Sequence, residues 1–175
     1  TEILTHPYKK GQRILVTSDI HGHPDHLRGL LDAAGFCADD LLVIVGDVVE
    51  KGPDSLGALR LVIELASRGN ALVLLGNVDA WRVQMTEGVN EYNAADFWDY
   101  LCGLHNWCGS SFYAEMAQEC GHTLTSAEDV LQAKEAILAH FREELDFLAS
   151  RPTVLQIGDF VFVHGGLRHQ TLSDN

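Results

Sequence analysis

The sequence predicts an α/β fold in which short buried strands alternate with amphipathic helices. Three observations support this prediction: apolar runs of about five residues, apolar residues at helical spacing between these runs, and glycines where the helices end. A strand–helix–strand order implies parallel strands joined by right-handed crossovers. At 175 residues the chain is long enough for about one domain with a substantial core.

The first half of the chain supplies three strands and two helices. Apolar runs predict buried strands at residues 13–17, 41–45 and 71–75. Between them, apolar residues recur at helical spacing over residues 24–34 and 54–68, and Gly35 and Gly69 follow as helix stops. Each predicted strand runs into a short polar block. In parallel sheets, ligands collect at this carboxyl end of the strands.

The middle of the chain, residues 80–150, has no clear strand and holds most of the aromatic residues. Helical spacing is found over residues 93–104, 112–120 and 125–148, and Thr125 or Ser126 could cap the last helix. We interpret the segment as a helical cap inserted over the sheet edge. A second hydrophobic core layer with no role in substrate binding is the alternative.

Two further strands follow the helical segment, at residues 154–157 and 160–163. Gly158 and Asp159 lie between them and are typical of a hairpin turn. No internal repeat and no low-complexity tract is found in the sequence, so a single domain over residues 1–175 is expected.

The composition excludes some classes of protein. The formal net charge of −13 argues against a general nucleic-acid-binding protein, because an acidic surface repels phosphate backbones. The first residues have neither a basic start nor a long apolar run, so we expect no signal peptide, no membrane segment and a cytoplasmic location. None of the four cysteines has the two-residue spacing of a zinc knuckle, and we expect reduced thiols. The oligomeric state is left open.

The polar blocks at the strand ends contain a set of metal-binding side chains: Asp19, His21, Asp47, Asn77 and His164. Asp or Asn beside Gly after a strand is often only a turn. Four such blocks in order favour a shared site instead. Mixed oxygen and nitrogen ligands suit Mn, Fe or Zn, with Ni also possible, better than Ca or Mg. Two such ions can activate a water molecule beside a phosphate group.

The order of the blocks resembles the calcineurin-like metallophosphoesterase superfamily. The motifs on which the resemblance rests are Asp-x-His at 19–21, Gly-Asp-x-x-x-x-Gly at 46–52, Gly-Asn at 76–77 and His-Gly-Gly at 164–166. Gly-Pro-Asp-Ser-Leu and His-Gly-Gly-Leu look most like the branch of Ser/Thr protein phosphatases and diadenosine tetraphosphatases. The resemblance implies a four-layer α/β/β/α sandwich with a dinuclear centre. In it, Asp19 and His21 would hold the first metal, Asp47 would bridge, and Asn77 and His164 would serve the second.

The sequence departs from this branch at the expected proton donor. Val78 stands where the branch has a histidine, Glu50 replaces the aspartate that orients this histidine, and Lys51 replaces a phosphate-binding arginine. The block Gly-Asn-Val-Asp is similar to small phosphodiesterases of the superfamily. Asp79, Glu50 and His23 are then the candidate catalytic residues, although for His23 the sequence favours a solvated loop histidine over a catalytic one. Lys51 and Asn77 are the candidate substrate-binding residues.

We therefore expect a metal-dependent phosphoesterase that hydrolyses a phosphomonoester of a small molecule, a nucleotide or a phosphoprotein. Two divalent transition metals are expected, with manganese first. The alternatives are a phosphodiesterase and a catalytically weak metal-binding scaffold that recognises a partner through its helical cap. The family has further His ligands after the His-Gly-Gly block, so we also expect that the C-terminal portion of the natural protein is missing from this chain.

Overall fold

The computed structural model describes residues 3–167. The strands in this range are β1 (Ile3–His6), β2 (Ile14–Thr17), β3 (Leu41–Ile44), β4 (Ala71–Val73), β5 (Val154–Ile157) and β6 (Phe160–Val163). The helices in this range are α1 (Pro24–Ala34), α2 (Ser55–Ser67), α3 (Asn77–Gly88), α4 (Ala94–Cys108), α5 (Phe112–Glu119), α6 (Ala127–His140) and α7 (Arg142–Ala149). The predicted α/β class is confirmed.

The strands form two three-stranded sheets. One sheet has the order β2-β3-β4 and is parallel throughout, as the strand–helix alternation predicts. The other has the order β1-β5-β6, in which β1 runs parallel to β5 and β5 pairs antiparallel with β6. The turn at Gly158 and Asp159 joins β5 to β6, and Gly158 adopts a φ of 57° there.

Strand β3 is the centre of the fold because both of its faces are buried. Leu41 and Val43 share a hydrophobic cluster with Leu155 and Ile157 of β5, so the two sheets pack face to face. The alternate residues of β3, Leu42 and Ile44, belong to a larger cluster with the helices. The described residues therefore form a layer of helices, a first sheet and a second sheet. The fourth layer implied by the resemblance is not among residues 3–167.

The helical segment packs into the same core as the first sheet. Its fully buried side chains include Phe112, Tyr113, Met116, Ile137, Phe141 and Leu145. Helices α5 and α7 both contact α2, which lies on the first sheet. These contacts are those of a core layer. That the segment also takes part in substrate recognition stays a prediction.

Three features differ from the sequence-based expectation, and the first is helix α3, which was not predicted. Strand β1 was not predicted, because its pairing partner β5 is about 150 residues away in the sequence and two of its residues, Ile3 and Leu4, are exposed. The helix expected over 125–148 is two helices, which meet at the buried Phe141. Its predicted start is correct, because the Ser126 side chain caps α6 by accepting a hydrogen bond from the Asp129 N–H.

The surface of the second sheet carries exposed apolar side chains, including Ile3, Leu4, Phe160 and Val161. Completion of this sheet by residues beyond the chain stays a prediction, as does a cytoplasmic location. Among residues 3–167, every helix is too short or too polar to cross a lipid bilayer.

Two glycines allow the loops after β3 and β4 to touch. A Cβ atom on Gly46 would lie 2.5 Å from the Gly76 Cα, and a Cβ on Gly76 would lie 2.1 Å from the Asp47 backbone nitrogen and 2.2 Å from its Oδ1. Real Cβ atoms do not approach other atoms so closely. The contact therefore requires glycine at both positions and brings Asp47 next to the start of α3.

We predict that Gly76→Ala lowers the free energy of unfolding by about 1–3 kcal/mol, because the new methyl group must push the Asp47 loop away. The φ of Gly76 is −84°, so the expected effect is steric and not one of backbone conformation. Gly103→Ala is the matched control. Gly103 lies inside α4 with open space around it, and alanine there should raise the free energy of unfolding by about 0.5–1 kcal/mol. Urea unfolding of both variants measures the difference, and equal stabilities would contradict the prediction.

Candidate metal centre

The predicted metal ligands converge at the carboxyl ends of the strands. Asp19 and His21 follow β2, Asp47 follows β3, and Asn77 opens α3 after β4. His164 follows β6 of the second sheet. One ligand atom from each of Asp19, Asp47 and His164 lies within 4.8 Å of the other two, and this is a group that could hold a metal ion.

The His21 ring is oriented by the backbone. Its Nδ1 lies 3.2 Å from the carbonyl oxygen of Val49, and since a carbonyl only accepts, Nδ1–H donates. Nε2 is then the unprotonated ring nitrogen, which can accept a hydrogen bond or bind a metal. Nε2 faces Asp19 Oδ1 at 3.6 Å and Asp47 Oδ2 at 3.5 Å. A ring held in this way presents a basic nitrogen to two carboxylates, which is the usual orientation of a metal-binding histidine.

The His164 ring has the same arrangement on the other side of Asp47. Its Nδ1–H donates to the carbonyl oxygen of Val45 at 2.6 Å. Its Nε2 lies 3.0 Å from Asn77 Oδ1 and 3.4 Å from Asp47 Oδ1. The two oxygens of the Asp47 carboxylate thus face two different histidines, one of each pair of candidate ligands.

The donor set fits divalent cations. With Nδ1 protonated, the Nε2 atoms of both histidines are acceptors, and each faces the oxygens of neighbouring acceptors at 3.0–3.6 Å. Such contacts repel unless positive charge lies among them. The Lys51 ammonium supplies a positive charge on the His21 side, and divalent cations would supply it on both sides. Imidazole nitrogens, carboxylates and an amide oxygen are ligands for Mn, Fe, Ni or Zn.

The turns that carry the ligands have an uncommon backbone conformation. Asp19, His21 and Asp47 have φ angles of 54°, 44° and 54°, in the left-handed region that non-glycine residues rarely adopt. Backbone hydrogen bonds hold the turns together: the Asp19 N–H donates to Gly46 O at 3.1 Å, and the His21 N–H donates to Asp47 O at 3.0 Å. The Val78 N–H donates to Asp47 Oδ1 at 2.9 Å, which connects the third loop.

Lys51 reaches the cluster from the loop after β3. Its ammonium nitrogen lies 3.1 Å from His21 Nε2. This places a cationic side chain on the His21 side of the cluster. The position suits a group that binds an anion at the metal centre.

Glu50 and Asp79 lie behind the cluster, within the protein. Glu50 is 1% exposed, and its Oε2 lies 3.0 Å from the Nε atom of Arg82. Asp79 is fully buried. Its Oδ1 accepts from the backbone N–H groups of Val48 and Val49 at 2.9 and 3.1 Å, and its Oδ2 accepts from Gly76 N–H at 3.2 Å. The Asp79 carboxylate thus holds two of the ligand-bearing loops in place.

His23 is the predicted catalytic residue that the described contacts do not connect to the cluster. Its ring stacks on the ring of His26, with 4.8 Å between the centroids. Beside the cluster, a cavity of about 380 Å³ is lined by Asn77, Ala80, His164, Gly165 and Leu167, among others. This cavity gives a substrate access to the second pair of ligands.

Comparisons with known proteins identify the family of the chain. A family model for the calcineurin-like phosphoesterases matches residues 12–175. The chain belongs to the calcineurin-like phosphoesterase family. It is 29% identical over 153 residues to a symmetrical bis(5′-nucleosyl)-tetraphosphatase of Dechloromonas aromatica, and this match covers 87% of the chain and 43% of the relative. It is 47% identical over 72 residues to the enzyme of the same name from Aeromonas hydrophila, covering 41% and 26%.

Solved structures of family members have the same fold. A crystal structure of a candidate diadenosine tetraphosphatase superposes with a TM-score of 0.59 at 24% identity, over 94% of this chain and 55% of that one. A Ser/Thr phosphatase of Saccharomyces cerevisiae superposes with a TM-score of 0.53 at 16% identity, over 95% and 42%. At these identities the likeness shows the fold alone. The chain spans less than half the length of the curated relatives it matches.

Sequence reasoning missed three groups that shape the site. Arg82 pairs with Glu50, the Ser55 hydroxyl accepts from the Glu50 N–H at 3.1 Å, and the Val45 carbonyl orients His164. An arginine within an amphipathic helix gives no sign that it will be buried. Ser55 alone had a signal, since it follows Asp54 at the start of a predicted helix.

Burial raises the pKa of the Glu50 carboxyl. Arg82, the Phe112 N–H and Lys51 act in the opposite direction, and the Glu115 carboxylate reinforces the increase. The folded protein therefore holds this proton more tightly than the unfolded chain. The contribution of Glu50 to stability is fully present below the unfolded pKa of about 4.3 and is lost as the pH rises through the folded pKa.

We predict that Glu50→Gln removes this pH-dependent loss of stability. The melting temperature of the variant should therefore rise relative to that of the wild type as the pH is raised from about 4 to 8. Glu64→Gln is the matched control, because Glu64 forms an exposed pair with Arg68 and should follow the wild-type pH profile. Calorimetric melting at several pH values measures both differences. A constant difference between Glu50→Gln and wild type would show that Glu50 does not titrate in this range.

Proposed function

We propose that the protein is a dinuclear metal-dependent phosphoesterase that hydrolyses a phosphomonoester of nucleotide or phosphoprotein type. The observation that carries the proposal is the division of the Asp47 carboxylate. Its Oδ2 faces His21, and its Oδ1 faces His164 and is close to the start of α3. A carboxylate with a histidine at each oxygen is suited to bridge two cations. Asp19 and His21 would complete one site, and Asn77 and His164 the other.

Divalent metals held by these residues would lower the pKa of a bound water to near neutrality, so that it could act as the nucleophile, and would polarise the phosphoryl oxygens. The protein residues position the reaction. The backbone carbonyls of Val49 and Val45 fix the orientation of the two imidazoles. Manganese is our first choice of metal, with Fe, Zn and Ni as alternatives, because the ligand set mixes nitrogen with oxygen.

Lys51 and Asn77 are the proposed phosphate-binding residues. The Lys51 ammonium lies beside the carboxylates at His21, where the negative charge of a phosphate would balance it. Asn77 lines the cavity next to His164, and its amide can donate to a phosphoryl oxygen while its Oδ1 remains a ligand. A lysine in this position holds phosphate as a point charge rather than in a bidentate grip.

The names of the curated relatives favour a nucleotide substrate. Both relatives described above are called symmetrical bis(5′-nucleosyl)-tetraphosphatases. We therefore place nucleotides ahead of phosphoproteins in the proposed substrate range. Dinucleoside tetraphosphates are a further nucleotide candidate, in which the bond cleaved would be a phosphoanhydride and not a monoester.

A second candidate function is the hydrolysis of phosphodiesters, and Val78 favours it. Val78 stands where a proton-donating histidine would be expected, and its side chain is 7% exposed. Glu50 and Asp79 are both buried against backbone N–H groups and are turned away from the cluster. With no acid at position 78, substrates with good leaving groups should react best, because a positioned acid contributes roughly 10²–10⁴ in rate.

A substrate panel with added manganese separates these functions. Diadenosine tetraphosphate, p-nitrophenyl phosphate and bis(p-nitrophenyl) phosphate are assayed at equal concentration. Preference for p-nitrophenyl phosphate supports the leading proposal, and preference for bis(p-nitrophenyl) phosphate supports the diesterase. Preference for diadenosine tetraphosphate would replace the monoester by a nucleotide phosphoanhydride as the substrate. Tight metal binding without turnover of any substrate would mean that the protein is a metal-binding scaffold.

We predict that Asp47→Asn lowers the affinity for manganese by at least about 10–100-fold, and the hydrolysis rate with it. Outer-shell partners of a metal typically have effects of this size, and a bridging ligand should have a larger one. Asp96→Asn, the same change on an exposed position of α4, is the matched control and should bind metal normally. Calorimetric titration with MnCl₂ gives affinity and stoichiometry. Two tight manganese ions on the Asp47→Asn protein would rule out the bridging role.

A further inference from the structure

We propose that Glu50 is a positioning residue, which ties the loop after β3 to the helical layer and so holds the Lys51 ammonium group at the metal cluster. This inference rests on the function proposed above, since it concerns how the phosphate group is held. It assigns the helical layer a part in the site that is separate from its part in the core.

The backbone around Lys51 needs external support. Glu50 and Lys51 have φ angles of 71° and 66°, so two consecutive non-glycine residues lie in the left-handed region. Such conformations are disfavoured by contacts with the side chain and persist only where the surrounding structure holds them. If the supports of Glu50 are removed, the loop should relax toward ordinary φ values, and the direction of the Lys51 side chain should change.

Three contacts hold Glu50. Its N–H donates to the Ser55 hydroxyl at 3.1 Å, and its Oε1 accepts from the Phe112 N–H at 3.1 Å. Its Oε2 faces Arg82 Nε at 3.0 Å, although the pair lacks hydrogen-bond geometry and both atoms are without another hydrogen-bond partner. Phe112 begins α5 and Arg82 lies in α3, so the carboxylate connects the loop to two helices.

The contact between the loop and α5 is reciprocal. The Glu50 carboxylate accepts from the first N–H of α5, where the positive end of the helix dipole favours a negative charge. In return Glu115 of α5 accepts from the Leu56 N–H in the first turn of α2, at 2.9 Å. Both ends of the segment from residue 50 to residue 56 are therefore attached to the same helix.

Arg82 is itself fixed from the far side. Its guanidinium lies over the ring of Tyr100 in α4, with 4.5 Å between Cζ and the ring centroid, and Nη1 lies 3.4 Å from Met85 Sδ. Glu50 and Arg82 are both buried. A buried ion pair is weak support for stability, because desolvation offsets the attraction between the charges, and its better-attested contribution is to select one geometry.

The geometry that this pair selects is that of Lys51. The described contacts of the Glu50 side chain are with the helical layer, whereas the next residue along the chain extends to the cluster and places its Nζ 3.1 Å from His21 Nε2. Glu50 thus acts through Lys51 and not on the reacting atoms. The geometry thus gives this carboxylate, which is next to the site in sequence, a role other than proton donation.

The test measures binding of inorganic phosphate to the manganese-loaded protein by calorimetry. Lys51→Met should weaken phosphate binding by about tenfold, which is the effect of one charged hydrogen bond. Glu50→Ala and Arg82→Met should each weaken it several-fold, and Arg82→Lys should restore most of the loss. If Glu50 acts through Lys51, Glu50→Ala/Lys51→Met should bind phosphate no more weakly than Lys51→Met alone. In steady-state assays the loss should appear in KM more than in kcat.

Arg60→Gln is the matched control. Arg60 and Glu119 form another arginine–glutamate pair between α2 and α5, with Nη2 and Oε1 at 2.6 Å, but this pair is partly exposed. Its loss should leave phosphate binding unchanged. Hydrogen exchange of the peptide 48–56, measured without metal, should be faster in Glu50→Ala and Arg82→Met and normal in Arg82→Lys and Arg60→Gln.

The outcomes separate this inference from the proposed function. If phosphate binds and the effects of Glu50→Ala and Lys51→Met are non-additive as expected, but no substrate is hydrolysed, the phosphoesterase proposal is rejected and the positioning role stands. If the protein hydrolyses phosphoesters, but the losses of phosphate affinity in Glu50→Ala and Lys51→Met multiply in the double variant, only the positioning role is overturned. No phosphate binding by the wild-type protein, or none of the expected change in Lys51→Met, would also overturn it. If Glu50→Ala does not fold, the comparison of Arg82→Met with Arg82→Lys decides.

Discussion

The position of the Asp47 carboxylate is the constraint on which the rest of the site depends. It is buried, and it lies where the loops that contain Gly46 and Gly76 touch. Its two oxygens face histidines that come from different sheets. A larger residue at Gly46 or Gly76 would separate the loops. The close contact of these loops therefore holds Asp47 beside the start of α3, which carries Asn77.

The cluster concentrates negative charge in a protein that is already acidic. Two carboxylates, Asp19 and Asp47, approach within a few ångströms of each other in a chain with a formal net charge of −13. Like charges at this distance repel, and the repulsion grows where water is excluded. Divalent cations would reverse the sign of the local field, so that an anionic phosphate can approach a surface that would otherwise repel it. Lys51 adds to this effect from the protein itself.

The helical segment has two structural roles. Its apolar side chains complete the core on the outer face of the first sheet, and its polar groups hold the loop that carries Lys51. The same helices thus stabilise the fold and fix the conformation of a loop with left-handed residues at the site. A purely apolar helical layer could not take the place of this segment, because the loop would lose its hydrogen-bond partners.

Five of the six described strands, the first two helices and the five candidate metal ligands could be predicted from the sequence. Apolar periodicity is a local property, and parallel strands bring their carboxyl ends to one edge, so Asp19, Asp47 and Asn77 could be placed together before the structure was known. Only the tertiary structure decided the pairing of β1 with β5 and the burial of Asp79 and Glu50. These depend on contacts between residues far apart in the chain, for which a single sequence carries no periodic signal.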